Sequence, residues 1–237
     1  MPDRIKGRVS VVVTNYNKGA FLIECLDGIA RQSYPDWELI VVDDASTDES
    51  ARIAEEWIER EREGALAGRE CVLLRLPRNV GYSGASTAGL YLARGEYVAA
   101  HDSDDLSDPE RLAKQVAFLE SHPAIELLGT NYAVIDENGR KGGKAGWIRY
   151  GEQIGKVYRS GGHCICHGTL LIRGSLFDRT GGYTRALPGA EDYEFIAKRL
   201  NPKADNAENL PEVLYYYRQY PGQRSRLYYG KNRGGRE

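Results

Sequence analysis

The sequence predicts an α/β chain built on a doubly wound, mostly parallel sheet with helices on both faces. Three observations predict it. Short apolar runs rich in β-branched residues alternate with amphipathic stretches through the first 121 residues, in the order β-α-β-α-β-α-β-α. The runs are apolar at nearly every position, as strands covered on both faces are, where a half-solvated strand would alternate. Each run ends in polar or acidic residues, and open sheets of this kind bind ligands beyond the carboxyl ends of their strands.

The first strand is Val9-Ser10-Val11-Val12-Val13, bounded by Gly7 and Asn15 and expected at the centre of the sheet. Phe21, Leu22, Cys25 and Ile29 recur at helical spacing up to Gln32, and Pro35 separates that helix from a second strand, Leu39-Ile40-Val41-Val42, ending at Asp43-Asp44. Ser46 with Glu49 matches a capping box, and Ile53 and Trp57 give one apolar face to a helix that fades around Glu59–Glu63. Cys71–Leu74 reads as the third strand, Gly81–Ala93 as the third helix and Gly95–His101 as the fourth strand. Asp108 and Pro109 then form the N-cap and first-turn pair of a helix lined by Leu112, Val116 and Leu119. Beyond residue 122 the rhythm changes. A strand is expected near 125–135, a turn at Glu137-Asn138-Gly139, and a Gly-rich irregular stretch from Lys141 to Gly162. A strand over His167–Ile172, a helix over Ala190–Leu200 with an acidic first turn, and an aromatic strand over Val213–Tyr220 complete the chain.

With 237 residues and 41% hydrophobic content, the chain can bury one large core or two packed halves. Its 32 basic and 34 acidic residues are interspersed, for a net charge of −2, which disfavours nucleic acid as a partner. Met1-Pro2-Asp3-Arg4 opens no apolar secretory signal, and no stretch approaches the roughly 18 apolar residues of a membrane span, so a cytoplasmic protein is expected. Cys25, Cys71, Cys164 and Cys166 are too irregular for a disulfide framework and read as free thiols. The run His163-Cys164-Ile165-Cys166-His167 has the residue types of a zinc site but not the spacing of a second ligand pair.

The chemistry concentrates at Asp102-Ser103-Asp104-Asp105, directly after the fourth strand. Hard oxygen ligands separated by one residue face the same side of an extended segment, so Asp102 and Asp104 can approach one Mg²⁺ or Mn²⁺ that keeps positions open for phosphate oxygens. The other strand ends carry Thr14-Asn15-Tyr16-Asn17, Asp43-Asp44-Ala45-Ser46 and the Arg75–Gly81 segment. Any one of these is an ordinary polar loop; together they point to a nucleotide-diphosphate site.

Val-Val-Thr-Asn-Tyr-Asn, Leu-Ile-Val-Val-Asp-Asp-Ala-Ser-Thr-Asp, Arg-Asn-Val-Gly, Gly-Glu-Tyr-Val, Asp-Ser-Asp-Asp and Gly-Ala-Glu-Asp-Tyr-Glu, in that order, resemble the family 2 glycosyltransferases over roughly residues 8–220. The resemblance implies a GT-A fold: a Rossmann-like, mostly parallel sheet flanked by helices, with a smaller mixed acceptor-side sheet. It implies a nucleotide-sugar donor, UDP-linked first and GDP- or dTDP-linked as alternatives, a Mn²⁺ or Mg²⁺ cofactor, and transfer with inversion. Residues 1–105 would then form the nucleotide-sugar-binding half, 106–227 the acceptor-binding and catalytic half, and 228–237 a flexible tail. Thr14 and Tyr16 resemble the loop that receives the nucleoside. Asp44, with Asp43 beside it, resembles the carboxylate that meets the pyrimidine imide; a helix-capping role is the alternative for this pair. Asn79 and Gly81 resemble the segment near base and ribose, against the reading of an ordinary turn. Asp104 resembles the metal ligand, with Asp102 and Ser103 nearer the ribose. Asp192 resembles the catalytic base and Glu191 an acceptor contact. His167 borders the donor sugar in the family pattern, against the reading of a satisfied core histidine. Arg218 would reach a phosphate, against the reading of an exposed arginine on an aromatic strand.

The Gln-x-x-Arg-Trp motif and membrane spans of processive synthases of the family are not found in the sequence, which implies addition of a single sugar. The acceptor would be a saccharide or lipid-linked saccharide in bacterial surface polysaccharide or glycoconjugate assembly. Tyr228-Tyr229 with Arg224, Arg226, Lys231 and Arg233 suggests peripheral contact with the inner face of an anionic membrane, against a solubilising tail. Two other functions compete. A sugar nucleotidyltransferase would want a Gly-rich basic loop where Thr14–Gly19 has one Lys and one Gly; a catalytically silent sugar-nucleotide binder would have no use for Asp192 beside an intact Asp102/Asp104 pair.

Overall fold

The computed structural model describes residues 3–184, 187 and 189–225. The β-branched run becomes β1 (Ile5–Asn15), parallel to β2 (Trp37–Asp43) on one side and to β4 (Gly95–Asp102) on the other, with β3 (Cys71–Arg75) outside β2. Every residue of β2 is buried, as near-continuous apolarity requires. Alternate side chains feed two separate cores. Val9, Val11, Val13, Leu39 and Val41 pack under α1 (Gly19–Ala30), α2 (Ser50–Glu61) and α4 (Arg111–Ser121). Val12, Ile40 and Val42 pack on the other face, under α3 (Gly81–Leu92) and with side chains of the chain's second half.

The second half continues the same sheet. Strand β8 (Leu171–Arg173) pairs antiparallel with β4 and with β6 (Leu127–Ile135), β9 (Ala207–Arg218) lies parallel to β6, and the two-residue β5 (Leu106–Ser107) pairs with β9. The order is β3-β2-β1-β4-β8-β6-β9-β5, with β7 (Lys141–Lys144) on β6, a nine-stranded mixed sheet among the described residues. Helices α5 (Glu152–Arg159), α6 (Gly174–Thr180) and α7 (Glu191–Ala197) bury Ile154, Leu176, Phe177, Phe195 and Ile196 against it.

Several local expectations are corrected. Ser46 and Glu49 form no capping box. Ser46 Oγ instead donates to Asp43 Oδ1 (2.6 Å), Glu49 pairs with Arg52 (2.6 Å), and α2 starts at Ser50, whose amide donates to Asp48 Oδ1 (2.9 Å). Asp108 Oδ1 accepts from the Glu110 amide (3.1 Å), as an N-cap before Pro109 would, while the regular turns of α4 begin at Arg111. The stretch expected to be irregular holds α5, two turns in which only Ile154 and Gly155 are buried, too few for a periodic signal. Residues 167–169 are a 3₁₀ turn and not strand, since Thr169 Oγ1 donates back to the Cys166 carbonyl (2.7 Å) and accepts from the Thr130 amide (3.0 Å). The tail at 228–237 lies outside the described residues.

Helix α3 approaches the sheet closely enough that a Cβ at Gly89 would stand 2.4 Å from Val12 Cγ1 and 3.0 Å from Val42 Cγ2. Gly89→Ala should therefore destabilise the protein by about 1–3 kcal/mol through overpacking. Thermal unfolding followed by circular dichroism should show a lowered midpoint; an unchanged midpoint would mean that α3 lifts from the sheet at no cost.

Candidate active site

Register brings the strand ends to one level: Thr14 stands beside Val42 on β2 and Asp102 on β4, and Asn15 beside Asp43. The first two loops are knitted together. Asn15 Nδ2 donates to Asp43 Oδ1 (2.8 Å), the Asn17 amide to Ser46 Oγ (2.9 Å), and the Thr47 amide to Asn17 Oδ1 (2.7 Å). Asp44 ties the third loop to the second, its Oδ1 accepting from the Val80 amide (2.7 Å) and its Oδ2 from the Gly81 amide (2.9 Å). Asn79 Nδ2 returns a bond to the Asp44 carbonyl (3.1 Å), and Gly81 supplies the φ of +79° that the turn into α3 needs. Asp43 and Asp44 thus have structural work, both being buried, while Tyr16 stands exposed at the end of β1.

The acidic turn after β4 is crowded. Asp104 Oδ2 accepts from Tyr220 Oη (2.6 Å) and lies 3.4 Å from Lys18 Nζ. Asp105 Oδ1 accepts from the Arg218 amide (2.7 Å), and its Oδ2 is buried without a hydrogen-bond partner. Burial, followed by the charges of Asp104 and Asp192, pushes the Asp102 carboxyl up to about 7, opposed by Arg224 and Lys18. Burial, with Asp104 and Asp102, raises Asp105 as well. A hard divalent cation fits this donor set, since it would relieve the repulsion. Among the described residues no group of three His, Cys, Asp or Glu side chains converges to form a closed cage, so a cation here would draw on other oxygens.

Asp192, on α7 in the second half of the chain, lies within the electrostatic field of Asp102. Its charge acts on Asp102, and both act on the Tyr82 and Tyr183 hydroxyls and on Cys166. Its Oδ1 accepts from the Tyr193 amide (2.8 Å), and its Oδ2 lies 3.7 Å from His163 Nε2. Glu191 is buried, accepts from the Gly189 amide (2.9 Å) and pairs with Arg224, whose guanidinium lies 5.3 Å from the Tyr82 ring centre. Residues 219–225 therefore cross from the acidic turn, through Tyr220, to α7, through Arg224.

One expectation changes. Arg218 is neither exposed nor available to a phosphate. It is 1% exposed, with Nε on the Asp104 carbonyl (2.8 Å), Nη1 on the Glu137 carbonyl (3.0 Å) and Nη2 on Glu24 (2.5 Å). Of the two readings of His167, the geometry has the core one: the residue is buried, with Nδ1 2.9 Å from Tyr82 Oη and Nε2 bonded to Tyr183 Oη. Sequence reasoning missed Lys18, Tyr220, Arg224 and His163 as site residues. Only Lys18, one residue beyond the polar end of β1, carried a local signal.

The family model described as Glycosyl transferase family 2 matches residues 10–181. EpsE of Bacillus subtilis (strain 168), whose name assigns it to the glycosyltransferases without stating a donor or acceptor, is 35% identical over 214 residues, 90% of this chain and 73% of that protein. A PGL/p-HBAD biosynthesis glycosyltransferase of Mycobacterium tuberculosis (strain ATCC 25177 / H37Ra) is 27% identical over 214 residues, 90% of this chain and 77% of that protein. The crystal structure of S. aureus TarS residues 1–349 in complex with UDP-GlcNAc superposes with a TM-score of 0.72 at 25% identity, covering 92% of this chain and 60% of that one. The mannosyltransferase PcManGT of Pyrobaculum calidifontis, solved with GDP-Man and Mn²⁺, shares the fold at a TM-score of 0.68 and 24% identity, over 96% of this chain and 61% of that one.

Burial is the main cause that lowers the His167 imidazole from 6.5 to about 4. The unfolded chain then takes up this proton first, so the contribution to stability is fully present above pH 6.5 and is lost as pH falls toward 4, by up to about 1.4 kcal/mol per pH unit. Urea unfolding at pH 7 and pH 5 should give a flatter pH dependence for His167→Gln than for the wild type; equal slopes would show that His167 titrates normally.

Proposed function

The chain belongs to glycosyl transferase family 2, and on that premise we propose that it moves one sugar from a nucleotide-diphosphate sugar, UDP-linked, to a hydroxyl acceptor, with a divalent cation and inversion at the anomeric carbon. One observation supports this reading: the charge of Asp192 on α7 acts on Asp102 at the carboxyl end of β4, so acidic residues distant in sequence lie within each other's field. The likeness to TarS bound to UDP-GlcNAc supports the choice of nucleotide. Since this chain spans 60% of that one, the acceptor and the setting in surface polysaccharide or glycoconjugate assembly are proposals too.

In this reading residues 1–105 bind the donor and 106–227 the acceptor. Thr14, Tyr16, Asp43, Asp44, Asn79 and Gly81 frame the nucleoside, and Asp102 and Ser103 the ribose. Asp104, with Asp102, would hold Mn²⁺ or Mg²⁺, which when bound supplies several kcal/mol of charge neutralisation at the leaving diphosphate. Lys18 lies beside Asp104, and Arg224 adds positive charge near Asp102. Asp192 takes the proton of the acceptor hydroxyl as its oxygen bonds to the anomeric carbon, and the bond to the phosphate oxygen breaks with its electron pair leaving on the diphosphate. A single displacement of this kind inverts the centre. His163 Nε2 lies 3.7 Å from Asp192 Oδ2, beyond direct hydrogen-bond distance. Among the described residues no helix is long and apolar enough to cross a membrane. The basic and aromatic residues at 226–233, offered as a membrane contact, lie outside the described residues.

With UDP-, GDP- and dTDP-sugars and Mn²⁺, the wild type should release nucleotide, and chelation by EDTA should abolish release until Mn²⁺ is restored. Asp192→Asn should lower kcat about 10²- to 10⁴-fold while the unfolding midpoint is retained. Full turnover in that variant would remove Asp192 as the base, and absence of turnover with every donor would favour the silent sugar-nucleotide binder.

A further inference from the structure

Asp192 adjoins an aromatic wall that the donor side of the reaction does not use. Its centre is His163, whose Nδ1 lies 2.8 Å from Tyr158 Oη and whose ring lies 5.3 Å from that of Trp147 and 6.1 Å from that of Tyr193. Tyr193 follows Asp192 in sequence and stacks on Tyr158 at 5.7 Å. Trp147, on the segment between β7 and α5, closes the wall on its outer side. It is 36% exposed, yet its orientation is set: Nε1 donates to Tyr132 Oη (2.8 Å), and the Arg149 guanidinium stiffens the segment by donating to the Gly146 carbonyl (2.8 Å) and the Ile148 carbonyl (2.9 Å).

The exposed part of the indole favours a ligand that covers it. The surroundings decide which ligand. The other exposed large apolar residues among the described ones, Tyr16, Ile23, Val72, Tyr91, Leu92 and Leu187, lie on other segments, and the neighbours of Trp147 are polar: the Tyr132 phenol, the His163 imidazole and, on the adjoining Gly146 and Ile148 carbonyls, the Arg149 guanidinium. An acyl chain needs a contiguous apolar strip. A pyranose has one apolar C–H face, whose partial positive charge suits the negative face of an indole, and a rim of hydroxyls that suits polar neighbours. A fixed ring also binds with little ordering cost.

We propose that the acceptor is a saccharide whose pyranose ring rests on Trp147, with one hydroxyl directed past His163 to Asp192; this rests on the transferase reading above. Of the three tryptophans, Trp37 and Trp57 are each 1% exposed, so acrylamide quenching of intrinsic fluorescence reports Trp147. The wild type is titrated with methyl glycosides of glucose, galactose, mannose and N-acetylglucosamine, and with cellobiose, maltose and chitobiose, to roughly 50 mM, which captures dissociation constants near 1 mM. At least one saccharide should lower the quenching constant about twofold; by calorimetry its affinity should fall about tenfold or more in Trp147→Ala and less than about threefold in Trp147→Tyr. Protection by none of the saccharides, or by phosphatidylglycerol vesicles instead, overturns the proposal, and this readout does not depend on either variant folding. Donor hydrolysis by the wild type is measured alongside. Hydrolysis without protection overturns the Trp147 platform alone, whereas no hydrolysis of any donor overturns the transferase reading and the acceptor role with it.

Discussion

The site depends on one buried guanidinium. Arg218 stands at the end of β9, with its Nε on the Asp104 carbonyl, its own amide on Asp105 Oδ1, its Nη1 on the carbonyls of Asp136 and Glu137, its Nη2 on Glu24 and its plane 4.7 Å from the Phe21 ring centre. Three segments distant in sequence, α1, the turn at 136–137 and the end of β9, are thereby tied to the acidic turn. Three carboxylates within four residues repel one another, and a turn that carried them without an external hold would relax outward. Arg218 is well suited to resist this, because its planar fork binds several acceptors at once and stays charged when buried.

The same crowding gives the site its chemical character. Asp102 and Asp105 are both held above the ordinary carboxylate range, by burial first and by their acidic neighbours second. Cationic side chains, Lys18 and Arg224, approach from the first loop and from the segment after β9. Such a site carries strong, fixed fields of both signs over a short distance. That arrangement suits a ligand that brings negative phosphates together with a positive ion, since both are neutralised without reorganising the protein.

Much of this was legible in the chain, and the rest was hidden for identifiable reasons. Strands β1, β2 and β4 announce themselves because strands buried on both faces are apolar at most positions, with Ser10, Glu38 and His101 as buried polar exceptions. Asp102 and Asp104 could be paired because their spacing alone sets a shared face, and Asp192 was reached through the Gly-Ala-Glu-Asp-Tyr-Glu motif. The second half resisted because its elements are short: β8 has three residues, α6 and α7 seven each, and a periodicity needs more turns than that to show. Arg218 was misread because arginine is seldom buried, and nothing local reveals that Glu24 and three carbonyls await it. Tyr220, Arg224 and His163 join the site through tertiary contacts alone, so spacing could not have found them.

The way the halves are joined bears on how the site works. A doubly wound sheet alone leaves its strand ends open to solvent on one side. Here β8 pairs with both β4 and β6, so the sheet that carries the acidic turn runs unbroken into the half that carries α7. Between them, the half-buried Tyr82 and Tyr183 and the buried His167 and Phe195 form an aromatic floor in which His167 satisfies both flanking hydroxyls. Asp102 and Asp192 lie on either side of this floor within each other's field, and Arg224, over the Tyr82 ring, offsets part of the repulsion. Shifting α7 relative to β4 would require that floor to break its hydrogen bonds and unstack Tyr183 from Phe195. Rigidity of the distance between the two acids is therefore a property of the aromatic packing, and the residues that enforce it need never touch a ligand.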